Sequence, residues 1–105
     1  MASLSVQIVE FLEASSYPAI VACEFTDAGG RRHRVIDKLP IFTAQDLRKD
    51  SMYPQPGEAE CLVLGTVEDG ERRKLICIRT LETTRGETEF VVEESQVSFG
   101  PDSSQ

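Results

Sequence analysis

The chain has 105 residues, 40% of them apolar and 28% charged, which suits one folded domain and excludes the apolar-poor composition of disordered chains. The formal net charge of -7 counts against binding to nucleic acids and to anionic membrane surfaces. Apolar runs are far shorter than the roughly 20 residues of a membrane-spanning helix. The N-terminus has no basic start followed by an apolar block, so we expect a cytoplasmic protein without a membrane partner.

The first predicted strand covers residues 4–13. Val6 and Ile8 alternate with polar residues, which is the period of a half-buried strand. The apolar phase then slips to Val9 and Phe11, and such a slip requires a β-bulge or a strong bend. The sequence therefore predicts a long first strand that is irregular near its middle.

Residues 19–38 are predicted to form a β-hairpin. Four apolar residues share one face of its first strand, namely Ala19, Val21, Cys23 and Phe25. The tip at 27–30 has the sequence Asp-Ala-Gly-Gly, whose residues tolerate positive φ, and a second strand resumes at His33.

Residues 37–57 are the least strand-like part of the chain and contain three prolines. Thr43 followed by Asp46 is typical of a helix start, so we predict a short helical turn near 43–49 and a turn at 54–57. Two interpretations of this connection stay open. Met52 and Tyr53 could offer apolar groups to a partner on a proline-stiffened loop, or the connection could plug the barrel mouth with Phe42 and Leu47 inside.

A second hairpin is predicted from strands at 61–67 and 74–78, with an acid-and-glycine tip like that of the first. The likeness admits an internal duplication, although turn chemistry alone explains it. A last strand is predicted at 89–93, which Val97 and Phe99 could extend, and a disordered polar tail at 100–105.

These elements predict an all-β fold that forms a single domain over residues 1–99, as a closed barrel or a small sandwich. We favour a small closed antiparallel barrel of six or seven strands. Closure is expected because strands this evenly apolar must protect their edges, and a barrel has none.

The run Gly29-Gly30-Arg31-Arg32-His33 resembles a turn in the third, β-barrel domain of elongation factor Tu, where a Gly-Gly-Arg-His run precedes a proline-containing loop. Arg32 is an addition to that pattern. The resemblance implies a six-stranded translation-factor-type barrel. In that family the domain contacts transfer RNA and a nucleotide-exchange partner within a larger GTPase. No binding residue is carried over, because this chain has no GTPase domain and its charge disfavours RNA.

Residues suited to catalysis or metal binding are sparse. Three cysteines, Cys23, Cys61 and Cys77, lie in apolar runs without C-x-x-C spacing and are expected to be buried small hydrophobes. Cys23 with His33 and Asp37 is the combination that could supply a nucleophile, a base and an orienting acid, yet Cys23 is predicted to lie in the core. We therefore predict a protein that is not an enzyme and needs no cofactor or metal.

The densest basic group lies on the second strand of the first hairpin. Alternation places Arg32, Arg34 and Lys38 on one face with Ile36, and His33 on the other. This strip could bind a small anion or an acidic partner. Cross-strand pairing with an acid such as Glu24 needs no ligand, and we favour that interpretation.

Three functions follow from these observations. The first is a non-catalytic interaction or adaptor module with a protein partner. The second is an acidic immunity or antitoxin-like protein that neutralises a basic partner, because opposite charge speeds encounter. The third is a small anionic-ligand binding protein that uses the strip at 31–38. A homodimer formed through the strand near 88–93 is also open. The candidate binding residues are Arg32, His33, Arg34, Lys38, Met52 and Tyr53.

Overall fold

The computed structural model describes residues 2–13, 18–68, 70 and 73–99. Within these residues the elements are, in chain order, β1 (Ala2–Glu13), β2 (Ile20–Thr26), β3 (Arg32–Lys38), α1 (Leu39–Phe42), β4 (Gln55–Glu68), β5 (Lys74–Arg79), β6 (Glu89–Glu93), the 3-10 turn η1 (Glu94–Gln96) and β7 (Val97–Phe99). The predicted all-β class and both hairpins are confirmed. The predicted tail at 100–105 lies outside the described residues.

The strands form one antiparallel sheet in the order β3-β2-β1-β4-β5-β6, and β7 pairs with the beginning of β1. The sheet curls into a half-barrel. The predicted closed barrel is therefore wrong, because β3 and β6 remain the two edges and no ladder joins them within the described residues.

The open side of the half-barrel has a local cause. Strand β6 has five residues and ends at η1, after which the chain crosses to β1 as β7, so β6 cannot continue along β3. Among the described residues, two backbone hydrogen bonds cross the gap instead. The Ala28 N–H donates to the Val91 carbonyl over 2.8 Å, and the Thr84 N–H donates to the Arg34 carbonyl over 2.9 Å. A turn and a loop therefore cover the side that a barrel would close with strands.

The irregularity predicted in β1 is confirmed. Its pairing with β2 shifts register between Ile8 and Glu10 and again between Phe11 and Glu13. The first half of β1 pairs with β4 over Ala2–Ile8, so β1 begins two residues earlier than predicted. The bulges let one long strand serve two differently oriented neighbours.

Strand β4 begins at Gln55, inside the segment assigned from sequence to the connection. The predicted turn at 54–57 is therefore wrong from residue 55 onward, where β1 supplies a pairing partner that no local signal reveals. Gly57 allows this close approach. A Cβ there would lie 3.1 Å from the side chain of Ile8 and 3.2 Å from the carbonyl oxygen of Phe42.

The short helix lies at Leu39–Phe42, so the turn predicted near 43–49 is also wrong. Pro40 occupies the first helical turn, where its missing N–H breaks no helical hydrogen bond. Thr43 is extended and ends the helix, and its side-chain oxygen accepts a hydrogen bond from the Gln45 N–H over 3.1 Å. Thr43 therefore stabilises a turn after a helix rather than the start of one.

The predicted extension of β6 by Val97 and Phe99 forms a separate strand. The Gln96 side chain holds the intervening turn in place. Its Oε1 accepts a hydrogen bond from the Glu93 N–H over 2.9 Å, and its Nε2 donates to the Thr26 carbonyl on β2 over 2.8 Å. The chain is thereby directed away from β5 and toward β1.

The core lies on the concave side of the curled sheet, and its largest fully buried members come from four strands. They are Leu4, Ile8, Val21, Cys23, Ile78 and Val92. Cys23 and Cys61 are buried, as predicted. Cys77 is half-buried, so the prediction holds for it only in part. The connection contributes Phe42 and Leu47, which are 3% and 8% exposed and lie inside, as the plug interpretation predicts.

Candidate functional site

The basic residues of β3 divide between two faces as the alternation predicts. Arg34 lies opposite Glu24 in the register, and its guanidinium reaches Glu24 over 3.3 Å and Glu10 over 2.8 Å. The Nε of Arg32 is 3.8 Å from the second oxygen of Glu24. The hydrogen bonds to Glu10 and then to Glu24 raise the pKa of Arg34. The predicted cross-strand pairing is thus present, and Lys38 stands apart from it at the exposed end of the strand.

His33 is buried, with only 3% of its side chain exposed. Its Nε2 is 2.7 Å from Oδ2 of Asp27, and its Nδ1 is 3.6 Å from Oε1 of Glu87. Its ring packs against Phe25 and Phe90, with centroids 5.2 Å and 4.5 Å away. The Asp27 hydrogen bond and the two aromatic contacts hold the imidazole as a packing residue beneath the basic strip. Oε1 of Glu87 lies too far from Nδ1 for a hydrogen bond and is a buried oxygen without a hydrogen-bond partner among the described residues.

Asp27 organises the turn between β2 and β3. Besides His33 it accepts hydrogen bonds from the backbone N–H groups of Gly29 and Arg31, over 2.9 Å and 3.0 Å. Burial by itself would raise the pKa of Asp27, but the hydrogen bonds from His33, Arg31 and Gly29 outweigh it and lower that pKa. From the sequence, Asp27 is predicted only as a turn residue. Its contact with His33 could have been predicted from alternation, because Asp27 follows Phe25 on the inward face and Phe25 lies opposite His33.

The set of Cys23, His33 and Asp37 does not form a nucleophilic arrangement. Burial raises the pKa of the Cys23 thiol to about 12, which leaves it protonated at neutral pH. His33 is committed to Asp27, and a side-chain oxygen of Asp37 accepts from the Lys38 N–H over 2.8 Å. The acid partner of the imidazole is therefore Asp27 rather than the predicted Asp37, and Cys23 supplies no thiolate.

A small cavity of about 180 Å³ lies between β3 and the loop 80–88. Three of the six candidate residues border it, namely Arg32, His33 and Arg34. Loop residues that the sequence analysis did not single out complete it, among them Thr84 and Arg85. No sequence pattern connects this loop with β3, because their contact is set by the backbone hydrogen bond between Thr84 and Arg34 across the open side.

Met52 and Tyr53 have different environments. Met52 is 83% exposed, whereas Tyr53 is half-buried, packs against the core and donates its hydroxyl hydrogen to the carbonyl of Arg48. Tyr53 therefore holds the connection in place, and Met52 is the member of the pair that a partner could reach.

The second half of β4 carries a surface that the sequence analysis missed. The first half, Gln55–Cys61, pairs with β1, and the second half, Leu62–Glu68, pairs with β5. No strand in the described part of the chain pairs with the other side of Leu62–Glu68, which we call the free edge of β4. Leu62, Leu64 and Val67 are 58%, 40% and 38% exposed along it. The sequence predicts a strand at 61–67 but does not indicate that one of its edges is unpaired, because sequence does not show where a neighbouring strand ends.

Comparison with protein-family models, with curated proteins and with solved structures finds no match for this chain. Among the described residues, no helix is long and apolar enough to cross a membrane. The same residues contain no group of three or more His, Cys, Asp or Glu side chains that could hold a metal ion.

Proposed function

We propose that this protein is a non-catalytic interaction module that binds an extended segment of a partner protein along the free edge of β4. The observation that carries the proposal is a seven-residue half-strand with a ladder on one side only among the described residues. The N–H and C=O groups on such an edge offer hydrogen bonds to an added strand, which is a common mode of peptide recognition.

Apolar side chains beside the edge favour the same function. Fully burying one leucine contributes about 1.5–3 kcal/mol, and Leu62 and Leu64 expose roughly half of their surfaces for a partner to cover. They are neighbours on one face, unlike the isolated exposed Ile36 on β3. A contiguous apolar strip next to an unpaired edge is typical of a protein-binding surface.

The charge around the strip indicates the chemistry of the partner. Glu58 and Glu60 precede Leu62 on the outward face of β4, and Glu68 ends the strand. Arg79 lies opposite Leu62, but Glu89 already pairs with it over 2.7 Å. Together with the net charge of -7, these acids favour a segment that alternates apolar and basic residues. They equally favour the immunity-like alternative, in which the partner is a basic enzyme.

The test uses a fluorescent seven-residue peptide of alternating lysine and valine as the probe, with binding followed by fluorescence anisotropy. We expect saturable binding that weakens with added salt, and a loss of at least about tenfold in affinity for Leu64→Lys. Ile36→Lys is the matched control, because Ile36 is 44% exposed and lies away from the free edge. It should bind like the unmodified protein.

Two results would overturn the proposal. One is equal binding by Leu64→Lys and the unmodified protein. The other is a dimer in sedimentation equilibrium that Leu64→Lys converts to a monomer, because the free edge would then be occupied by a second copy rather than by a basic partner.

A further inference from the structure

A ring nitrogen and a carboxylate oxygen face each other between β3 and the loop 80–88. Nδ1 of His33 is 3.6 Å from Oε1 of Glu87, and this oxygen is buried without a hydrogen-bond partner among the described residues. Such an oxygen is costly to bury, because it has lost its water and gained no donor. One proton placed between the two atoms would supply the missing hydrogen bond.

The opposite side of the ring determines where neutral His33 carries its proton. Nε2 is 2.7 Å from Oδ2 of Asp27. Burial would raise the pKa of Asp27, but the hydrogen bonds from His33 and from the turn backbone lower it, so this carboxylate is ionised and can only accept. The proton of the neutral ring is therefore assigned to Nε2. Nδ1 then presents a lone pair to Glu87, and the two facing atoms are both acceptors.

Two acids and two aromatic rings surround the imidazole. Among the described residues, Asp27 from the turn and Glu87 from the loop are the carboxylates within 4 Å of a ring nitrogen. Strands β2 and β6 present Phe25 and Phe90, which carry no charge. A change of pH therefore reaches the ring through its own nitrogens and these two acids.

Other charged groups lie near the ring without an ion pair to it. The small cavity beside His33 is also bordered by Glu24, Arg32, Arg34 and Arg85. Glu24 and Glu10 hold Arg34 at 3.3 Å and 2.8 Å, and Arg73 donates to the carbonyl of Ala28 in the turn over 3.2 Å. Arginine keeps its charge throughout the neutral and mildly acidic range, so these groups form a constant background.

The loop holds Glu87 in position against the ring. The Thr83 N–H donates to the Glu87 carbonyl over 2.8 Å, and the Thr83 side-chain oxygen accepts from the Glu87 N–H over 3.2 Å. The Thr84 N–H donates to the Arg34 carbonyl over 2.9 Å, which already ties the loop to β3. A proton shared by His33 and Glu87 would add a side-chain link between the same two elements.

We propose that His33 and Glu87 form a proton-operated latch that fastens the loop 80–88 to β3 across the open side of the half-barrel. At low pH one proton from solvent lies between Nδ1 and Oε1, while Nε2–H still donates to Asp27. At higher pH this proton leaves, the two acceptors repel each other and the loop opens more often. The proton is stabilised only while the loop is in place, so the latch adds stability at low pH and loses it as the pH rises. It is separate from the free edge of β4 and does not depend on it.

Glu87→Gln tests the latch, because an amide can meet both states of the ring. Its NH₂ group donates to the lone pair of neutral Nδ1, and its oxygen accepts from a protonated Nδ1. Loop opening is measured by amide hydrogen exchange of Thr84 at about pH 5.5 and about pH 7.5, corrected for the intrinsic exchange rate. These values lie on either side of about 6.5, where an ordinary histidine titrates.

In the unmodified protein, opening should be about tenfold more frequent at the higher pH, because the hydrogen bond between β3 and the loop is then lost. In Glu87→Gln the two values should agree within about twofold, because the amide bonds to either state of the ring. This variant should therefore open less often than the unmodified protein at the higher pH. At the lower pH it should open more often, because its hydrogen bond lacks the second charge.

Glu82→Gln is the matched control, since it removes the same charge from an exposed position on the same loop. It should keep the pH dependence of the unmodified protein. His33 is the one histidine in the chain, so the ¹⁵N shifts of its ring report without ambiguity which nitrogen carries the proton. The inference fails if Glu87→Gln keeps the pH dependence of Glu82→Gln, if Thr84 exchange in the unmodified protein does not depend on pH, or if the neutral ring carries its proton on Nδ1.

Discussion

At the scale of single residues, the pair of His33 and Asp27 shows how a buried polar group is accommodated. An imidazole placed between Phe25 and Phe90 loses its hydration, and Asp27 restores a hydrogen bond at 2.7 Å. The same carboxylate holds the backbone of Gly29 and Arg31. One acidic side chain therefore fixes both the turn and the core residue beneath it.

This arrangement predicts a specific dependence of stability on acidity. The pKa of Asp27 is lowered in the folded protein from an ordinary value of 3.8. Because the folded pKa is the lower one, the contribution of the ionised group is complete above the ordinary pKa and is lost as the pH falls through the folded pKa. Asp27→Asn should cost about 1–3 kcal/mol near neutral pH, and this difference should shrink below about pH 4.

Urea unfolding of both proteins over a range of pH measures that difference. Asp46→Asn is the control, since the Asp46 side chain is 87% exposed and its ion pair with Arg48 is long at 3.8 Å. It should change stability little at any pH. A deficit in Asp27→Asn that stays constant down to the lowest pH would contradict the assigned role of the charge.

At the scale of elements, β4 joins the two halves of the sheet. Its first half lies against β1 and α1, and its second half extends past the end of the β1 pairing and carries β5. The crowded point is Gly57, where an added Cβ would require Ile8 or the carbonyl of Phe42 to shift. Glycine at this position therefore permits the close approach of β4, β1 and α1 without such a shift.

Gly57→Ala should lower the free energy of unfolding by about 1–3 kcal/mol, because the added Cβ would displace Ile8 or the backbone of α1. Gly65→Ala is the matched control on the same strand, since a Cβ there meets nothing within 4 Å. It should be neutral or stabilising by less than about 1 kcal/mol. Denaturant unfolding of both variants gives the comparison, and equal stabilities would show that the contact is not limiting.

At the scale of the whole molecule, an aromatic cluster holds together the side that a barrel would close with a ladder. Phe25 of β2 and His33 of β3 contact Phe90 of β6, with Phe25 and Phe90 edge to face at 5.1 Å. The sheet edges β3 and β6 are thus joined mainly by side chains and by two backbone hydrogen bonds from the turn and the loop.

Phe90→Ala should therefore cost about 3–5 kcal/mol, because it opens a cavity between the two edges of the sheet. Phe99→Ala is the comparison, since Phe99 is 53% exposed on β7, and it should change stability by about 0.5 kcal/mol or less. Thermal and urea unfolding of both variants measure the two losses of stability. Similar losses of stability in the two variants would mean that the aromatic cluster does not hold the two sheet edges together.

The sequence by itself determined what depends on neighbouring residues along the chain. Period-two alternation located the strands and separated Arg32 and Arg34 from His33, and acid-and-glycine tips located both hairpins. The phase slip after Ile8 located the bulge in β1. These features are local because side-chain direction alternates with each residue and a turn is set by its own few dihedral angles.

The tertiary structure decided what depends on where a strand finds its neighbour. The pairing of Gln55–Cys61 with β1 overrode the turn residues there, and the brevity of β6 left the sheet open. The partner of His33, the free edge of β4 and the cavity beside Arg85 all arise from contacts between distant segments. No periodicity encodes them, because they depend on sheet curvature and on the end of each ladder, which are properties of the assembled chain.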